Sequence, residues 1–239
     1  MGQNRPAILL LSGGLDSATL LALAAKQSYV IHALSIFYGQ RHRHELHCAE
    51  QLIDRYRPHI GSYRTLELPM GEWGGSALTD RTIAVPKDAH QEGAIPVTYV
   101  PARNVVFLSL ALSLAEIVGA YDLFIGVNAL DYSGYPDCRP EFIDAFSRMA
   151  NIALKATIEG KETMRIHTPL LRLTKAEIIT LGTELLVDYS ITSSCYDPSE
   201  QGEACGHCDA CLLRLAGFAE CGLKDPVRYQ HQNHELKRG

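Results

Sequence analysis

Near the start of the chain, Ser12-Gly13-Gly14-Leu15-Asp16-Ser17 sets two hydroxyls, two glycines and a carboxylate between two differently patterned stretches. Residues 8–11 are continuously apolar, as in a strand buried on both faces. Residues 16–26 are rich in Ala and Leu, which suits a helix. The six residues therefore join a strand to a helix N-terminus. Unpaired backbone N–H groups there bind anions, and glycines let a phosphate come close. The plainer reading is a strand–helix turn in which Asp16 or Ser17 is the N-cap. Two familiar phosphate loops are excluded, because the chain has no GxxxxGK[ST] here and its glycines do not fit GxGxxG.

A second cluster is Cys195, Cys205, Cys208 and Cys211, spaced C-x9-C-x2-C-x2-C. Four thiolates at these intervals close a tetrahedron around a metal, helped by turn residues Pro198, Gly202 and Gly206. The surroundings are polar, with Asp197, Glu200, Glu203 and Asp209, so unligated core cysteines fit poorly. Four sulfurs favour a structural zinc. An iron–sulfur cluster is the alternative, although the Cys-Pro ending of ferredoxin runs is missing. His207 could also replace one thiolate. Cys48, on a predicted helix, reads as packing.

The elements that must position these groups follow from the pattern. With 239 residues, 46% hydrophobic and 21% charged, the chain has the composition of a soluble globular protein with no need of disulfides. No apolar run reaches the roughly 18 residues of a membrane span. No signal peptide is read in the N-terminal residues, and Pro6 breaks the myristoylation pattern. A cytoplasmic location is expected. The net charge of −5 argues against stable nucleic-acid binding; "GQRHRHE" (39–45) is the one basic candidate. Strands are expected at 8–11, 29–39, 63–69, 121–128 and 165–171. Helices are expected at 16–26, 43–57, 101–120 and 140–157, and after Thr174, whose Glu177 completes a capping box. Residues 70–96, rich in Gly and charge, read as a mobile loop beside a site. This is an α/β fold: an open, doubly wound parallel sheet of about five strands (residues 1–187) with a small C-terminal helical metal-binding region (188–239). Its strand ends would bring the Ser12 loop, "FYGQRH", "VNALDYSGYPDCR" and "TPLLRLTK" to one crevice.

"SGGLDS" resembles the pyrophosphate loop of the ATP pyrophosphatases, which adenylate a carbonyl oxygen. "FYGQRHRHE", "YVPARN", "VNALDYSGYPDCRPEF", "TPLLRLTKAEII" and "SCYDP…CGHCDACLLR" together resemble the 7-cyano-7-deazaguanine synthases of the queuosine pathway, from about residue 7 to residue 218. One departure is Ala18, where that family pattern would carry threonine. The resemblance implies conversion of 7-carboxy-7-deazaguanine and ammonia to the nitrile, with ATP, Mg²⁺ (magnesium), one structural Zn²⁺ (zinc) per chain and a homodimer. Leu11, Ser12, Gly13, Gly14, Leu15, Asp16, Ser17 and Ala18 would then hold ATP, with Asp16 beside magnesium. Lys175 would supply the cation that the loop lacks. Arg103 and Arg139 would grip the substrate carboxylate or the α-phosphate. Asp131 and Asp137 are candidates to read the guanine edge, and Tyr132 and Tyr135 to stack on its face. The competing readings are a tRNA thiolase, which should carry a basic RNA surface, and a non-catalytic ATP-binding module.

Overall fold

The apolar run ahead of the glycines forms β1 (Pro6–Leu10), with Ala7, Ile8 and Leu9 wholly buried. It is buried on both faces because it lies at the centre of a sheet. In this computed structural model, which describes residues 4–88, 95–130 and 134–230, the strands are β1, β2 (Val30–Phe37), β3 (Ile60–Glu67), β4 (Asp122–Phe124) and β5 (Arg165–His167). All pair in parallel, in the order β3-β2-β1-β4-β5. The helices are α1 (Leu15–Lys26), α2 (His44–Arg55), α3 (Arg103–Val118), α4 (Pro140–Ala153), α5 (Lys155–Ile158), α6 (Lys175–Glu184) and α7 (Asp209–Glu220).

Alternate residues of β1 feed two cores. Ile8 and Leu10 pack with residues of α3 and α4, while Ala7, Leu9 and Leu11 pack with α1, α2, α6 and α7. Helices thus cover both faces, as a doubly wound sheet requires. From β1 the chain turns one way to β2, and β4 lies on the other side. The loop after β1 therefore sits at the topological switch point, where such sheets bind ligands. Val187 and Tyr189, on either side of the expected 187/188 boundary, bury in the same core, as does Phe218 of α7. Among the described residues, no helix is long and apolar enough to cross a membrane.

Three expectations need correction. Strands β4 and β5 are three residues long, not seven or eight. The Asn128 side chain takes over the ladder beyond them, donating to the carbonyls of Leu170 (3.0 Å) and Leu173 (2.6 Å) and accepting from Leu130 N–H. The helix expected over 140–157 breaks at Leu154, which turns extended (φ −92°, ψ 143°) and buries its side chain. Glu116 accepts the freed N–H of Lys155 at 2.6 Å. Residues 76–88, expected to be loose, form a fastened strap. Ser76 and Ala77 are fully buried, and Arg41 donates to the carbonyls of Ala77, Asp80 and Ile83. Residues 89–94 of that stretch lie outside the described residues. The capping box is present: Thr174 Oγ1 accepts from Glu177 N–H at 3.2 Å, and Glu177 accepts from Thr174 N–H at 2.7 Å.

Candidate active site

Gly13 has φ +88°, and a Cβ there would stand 2.1 Å from the carbonyl oxygen of Glu45. The loop can therefore lean on the first turn of α2 only if this residue is glycine. Gly14, not Asp16 or Ser17, is the N-cap of α1, and no side chain caps it. The N–H groups of the loop rest on hydroxyls. Gly13 donates to Ser17 Oγ (3.2 Å), Gly14 to Ser12 Oγ (3.2 Å) and Leu15 to Ser194 Oγ (3.3 Å). These are long bonds to neutral acceptors. A phosphate oxygen would make shorter, charge-assisted ones at the positive end of α1.

The loop forms one wall of a cavity of about 210 Å³. All four polar clusters reach it: Ser12 to Ser17 from β1, Tyr38 to His42 from β2, Asn128 and Tyr135 after β4, and Lys175 at the start of α6. Lys175 Nζ donates to Asp16 Oδ1 at 2.6 Å, and the two side chains are only 9% and 17% exposed. A cation at a helix N-terminus is disfavoured by the macrodipole, so a buried lysine there implies an anionic counterpart. Arg103 reaches Tyr38 OH (3.4 Å) and lies 5.6 Å from that ring's centre. Tyr135 is buried on the wall, with its hydroxyl 2.8 Å from Thr98 Oγ1.

Not every expected site residue is brought here. Asp137 is buried, but its Oδ2 accepts from Asn104 N–H at the start of α3 (2.9 Å), and it does not line the cavity. Arg139 is the exposed N-cap of α4, also off the wall. Asp131 and Tyr132 lie outside the described residues. Sequence reasoning missed Tyr38, Gln40, Glu45 and Ser194, all of which line the cavity. The first three sat inside "FYGQRHRHE", which drew notice for its basic residues.

Burial pushes the Glu45 carboxyl up to about 7, against the opposing pull of Arg103 and a hydrogen bond from Gln40. Its ordinary value is 4.5. Well above pH 7 the fold therefore carries a poorly solvated carboxylate, whereas as pH falls below 4.5 the group becomes neutral both folded and unfolded. Glu45→Gln is expected to stabilise the protein at pH 8 by up to roughly 3 kcal/mol and to change nothing at pH 4. Thermal unfolding at both pH values checks this, and an unchanged Tm at pH 8 would refute it.

The four cysteine sulfurs lie within 4.8 Å of one another, and all four residues are buried without disulfides. A tetrahedral zinc with Zn–S near 2.3 Å needs sulfurs about 3.8 Å apart. Cys205 and Cys211 are at 4.0 Å. Backbone N–H groups of Asp197 and Cys205 point at Cys195 Sγ (3.3 and 3.2 Å), and those of His207 and Cys208 at Cys205 Sγ (3.4 and 3.3 Å). Donors aimed at sulfur favour thiolates, so the set fits a cation. His207 instead turns Nδ1 to Asp88 at 3.0 Å. Cys48 is buried on α2, as expected of packing.

Residues 6–222 match the family model of the queuosine biosynthesis protein QueC. The chain is 56% identical over 236 residues to a 7-cyano-7-deazaguanine synthase from Syntrophobacter fumaroxidans, covering 96% of this chain and 99% of that one. It is 59% identical over 225 residues to a synthase of the same name from Thiobacillus denitrificans, covering 93% and 97%. The fold is also similar to that of the NMN synthetase from Francisella tularensis (TM-score 0.51, 20% identity, 92% of this chain and 78% of that one). A phosphate loop at the switch point, a four-cysteine cluster beside it and a match along most of the sequence lead to one conclusion: the chain belongs to the QueC family.

Proposed function

We propose that this chain is an ATP-dependent carbon–nitrogen ligase that converts 7-carboxy-7-deazaguanine and ammonia to 7-cyano-7-deazaguanine in queuosine biosynthesis. The observation that carries the reading is the single cavity joining the phosphate loop, the Asp16–Lys175 pair and the Arg103–Tyr38–Tyr135 wall. The N–H groups and hydroxyls of the Ser12–Ser17 loop take the leaving β- and γ-phosphates, and Lys175 adds a cation from α6. Mg²⁺ at Asp16 neutralises phosphate charge when bound. Arg103 holds the substrate carboxylate or the α-phosphate, and Tyr38 and Tyr135 offer ring faces to the deazaguanine. Asp131, Tyr132, Asp137 and Arg139 remain assigned to the substrate side. Zn²⁺ at the four cysteines is structural, with every position filled by sulfur. Residues 188–239 form the metal-held region, and the working form is a cytoplasmic homodimer.

A carboxylate cannot become a nitrile in one displacement. Its oxygen attacks the α-phosphorus, pyrophosphate leaves, and ammonia displaces AMP to give an amide. The amide oxygen then attacks a second ATP, and loss of AMP with the remaining N–H protons gives the nitrile. The amide keeps the ring, so one site serves both rounds. The synthetic amide is expected to give nitrile without added ammonia. The acid should consume two ATP per nitrile and the amide one, counted as AMP against product by chromatography. An inert amide, equal ATP use from both substrates, or ADP in place of AMP would overturn the scheme.

A further inference from the structure

The basic look of residues 39–45 does not survive folding. Arg41 is spent on the carbonyls of the 76–88 strap. Arg43 pairs with Glu67 at 2.7 Å and lies over Phe37. His42 Nε2 is 3.1 Å from the Cys195 carbonyl, and His44 faces Cys48. Gln40, Arg41, His42 and Glu45 of this stretch all line the cavity, and the acid among them is the one at its end, Glu45.

Among the described residues lining the cavity, the acids are Asp16 and Glu45. Asp16 is paired with Lys175, whereas Glu45 has the neutral amide of Gln40 as its hydrogen-bond partner. Gln40 is fixed in turn, because its Oε1 accepts Tyr38 N–H at 2.8 Å, which leaves its NH₂ for the acid. The charged and titratable groups facing Glu45 are Arg103 from α3, Tyr38 from the end of β2 and Cys48 from its own helix. Its backbone carries Gly13, so the carboxyl is tied to the phosphate loop by rigid elements.

The ligase reading, on which this inference rests, leaves one chemical problem open. At neutral pH ammonia is almost entirely ammonium, which has no lone pair with which to attack a carbonyl. We propose that Glu45 is the catalytic base that binds the ammonium ion and takes one proton from it inside the cavity. The released lone pair forms the C–N bond, AMP leaves with the C–O electron pair, and the second excess proton goes to the departing phosphate. In the second round the activated amide sheds protons from that same nitrogen, so a base placed there serves both rounds. A carboxyl that burial holds near neutrality suits this work better than an ordinary acid, because proton transfer is most effective when the base matches the operating pH.

The test uses the full, metal-loaded chain with Glu45→Gln and Glu45→Asp. Two reactions are followed: exchange of pyrophosphate into ATP, driven by the deazaguanine acid without ammonia, and amide formation at fixed total ammonia. Glu45→Gln is expected to keep exchange within about twofold while losing roughly 10²–10⁴-fold of amide formation at pH 7. Most of that loss should be recovered at pH 9.5, where free ammonia is abundant, and Glu45→Asp should fall between. Metal content and Tm of both variants establish that they are folded. Exchange falling in step with amide formation would make Glu45 a substrate-binding group and overturn the assignment. Undiminished amide formation at pH 7, or no recovery at pH 9.5, would overturn it equally. Absence of acid-driven exchange in the parent chain would instead sink the ligase reading, and this assignment with it.

Discussion

Asp16→Asn is expected to lower the release of AMP and pyrophosphate by roughly 10³-fold while leaving the fold intact. The magnitude is that of removing a group aimed at charge that develops during the reaction, in a site screened from water. Asp16 stands in the first turn of α1, where the helix dipole tolerates a carboxylate well, and it is the acid within the phosphate loop. Asparagine keeps an Oδ1 acceptor for Lys175, so the lysine retains a partner. Asp16→Ala removes that partner from a lysine only 9% exposed. It should lose activity to the same extent and stability as well, by less than the 3–5 kcal/mol of a fully buried broken pair. Ser17→Ala should be milder, because it deletes one acceptor from Gly13 N–H but keeps every backbone donor. The readouts are AMP by chromatography, metal content and Tm. Normal turnover of Asp16→Asn at saturating magnesium would detach this loop from phosphate chemistry.

The parts legible in the sequence are those in which chemistry is local. The phosphate loop spans six residues, the cysteine set seventeen, and both act through their own spacing. The Thr174 capping box fixes where α6 begins and so puts Lys175 at the cavity, while its role as the loop's cation is what the family resemblance implies. Glu45 was missed because its partner is Gly13, brought to it by packing α2 on the loop, and only the paired glycines hinted at a close approach. Ser194 touches Leu15 across 179 residues, a contact no periodicity can announce. Asp137 makes a contact that its sequence neighbours do not announce. Helix α3 begins after Ala102, a left-handed residue (φ 55°) with no side-chain acceptor. The helix takes its acceptor from Asp137, which lies 33 residues beyond Asn104. Strands β4 and β5 were overextended because a side-chain amide, Asn128, imitates the ladder past their ends.

Removing the metal is expected to do more than loosen the C-terminal region. Structural zinc contributes roughly 10–16 kcal/mol of apparent binding energy, comparable to the 5–15 kcal/mol that hold a whole domain. The first cysteine is also wired to the phosphate loop. Ser193 N–H donates to the Gly13 carbonyl (3.0 Å), Ser194 Oγ accepts Leu15 N–H (3.3 Å), and Cys195 follows directly. The strap is fastened to the same knuckle through Lys87–Asp197 (2.9 Å) and through Asp88 N–H to the His207 carbonyl (2.8 Å). Cys208, whose sulfur accepts Tyr196 N–H at 3.5 Å, is wholly buried at its centre. Cys208→Ser should therefore yield a poorly soluble chain with a lowered Tm and no bound metal. Limited proteolysis should cut it both near 195–211 and within 76–88. ATP binding should fall with the metal, measured by calorimetry on chain treated with a chelator and then reloaded. A brown parent protein absorbing in the visible would replace zinc by an iron–sulfur cluster. Metal-free chain with the parent's Tm, an uncut strap and intact ATP binding would show that the cysteines hold nothing the fold needs.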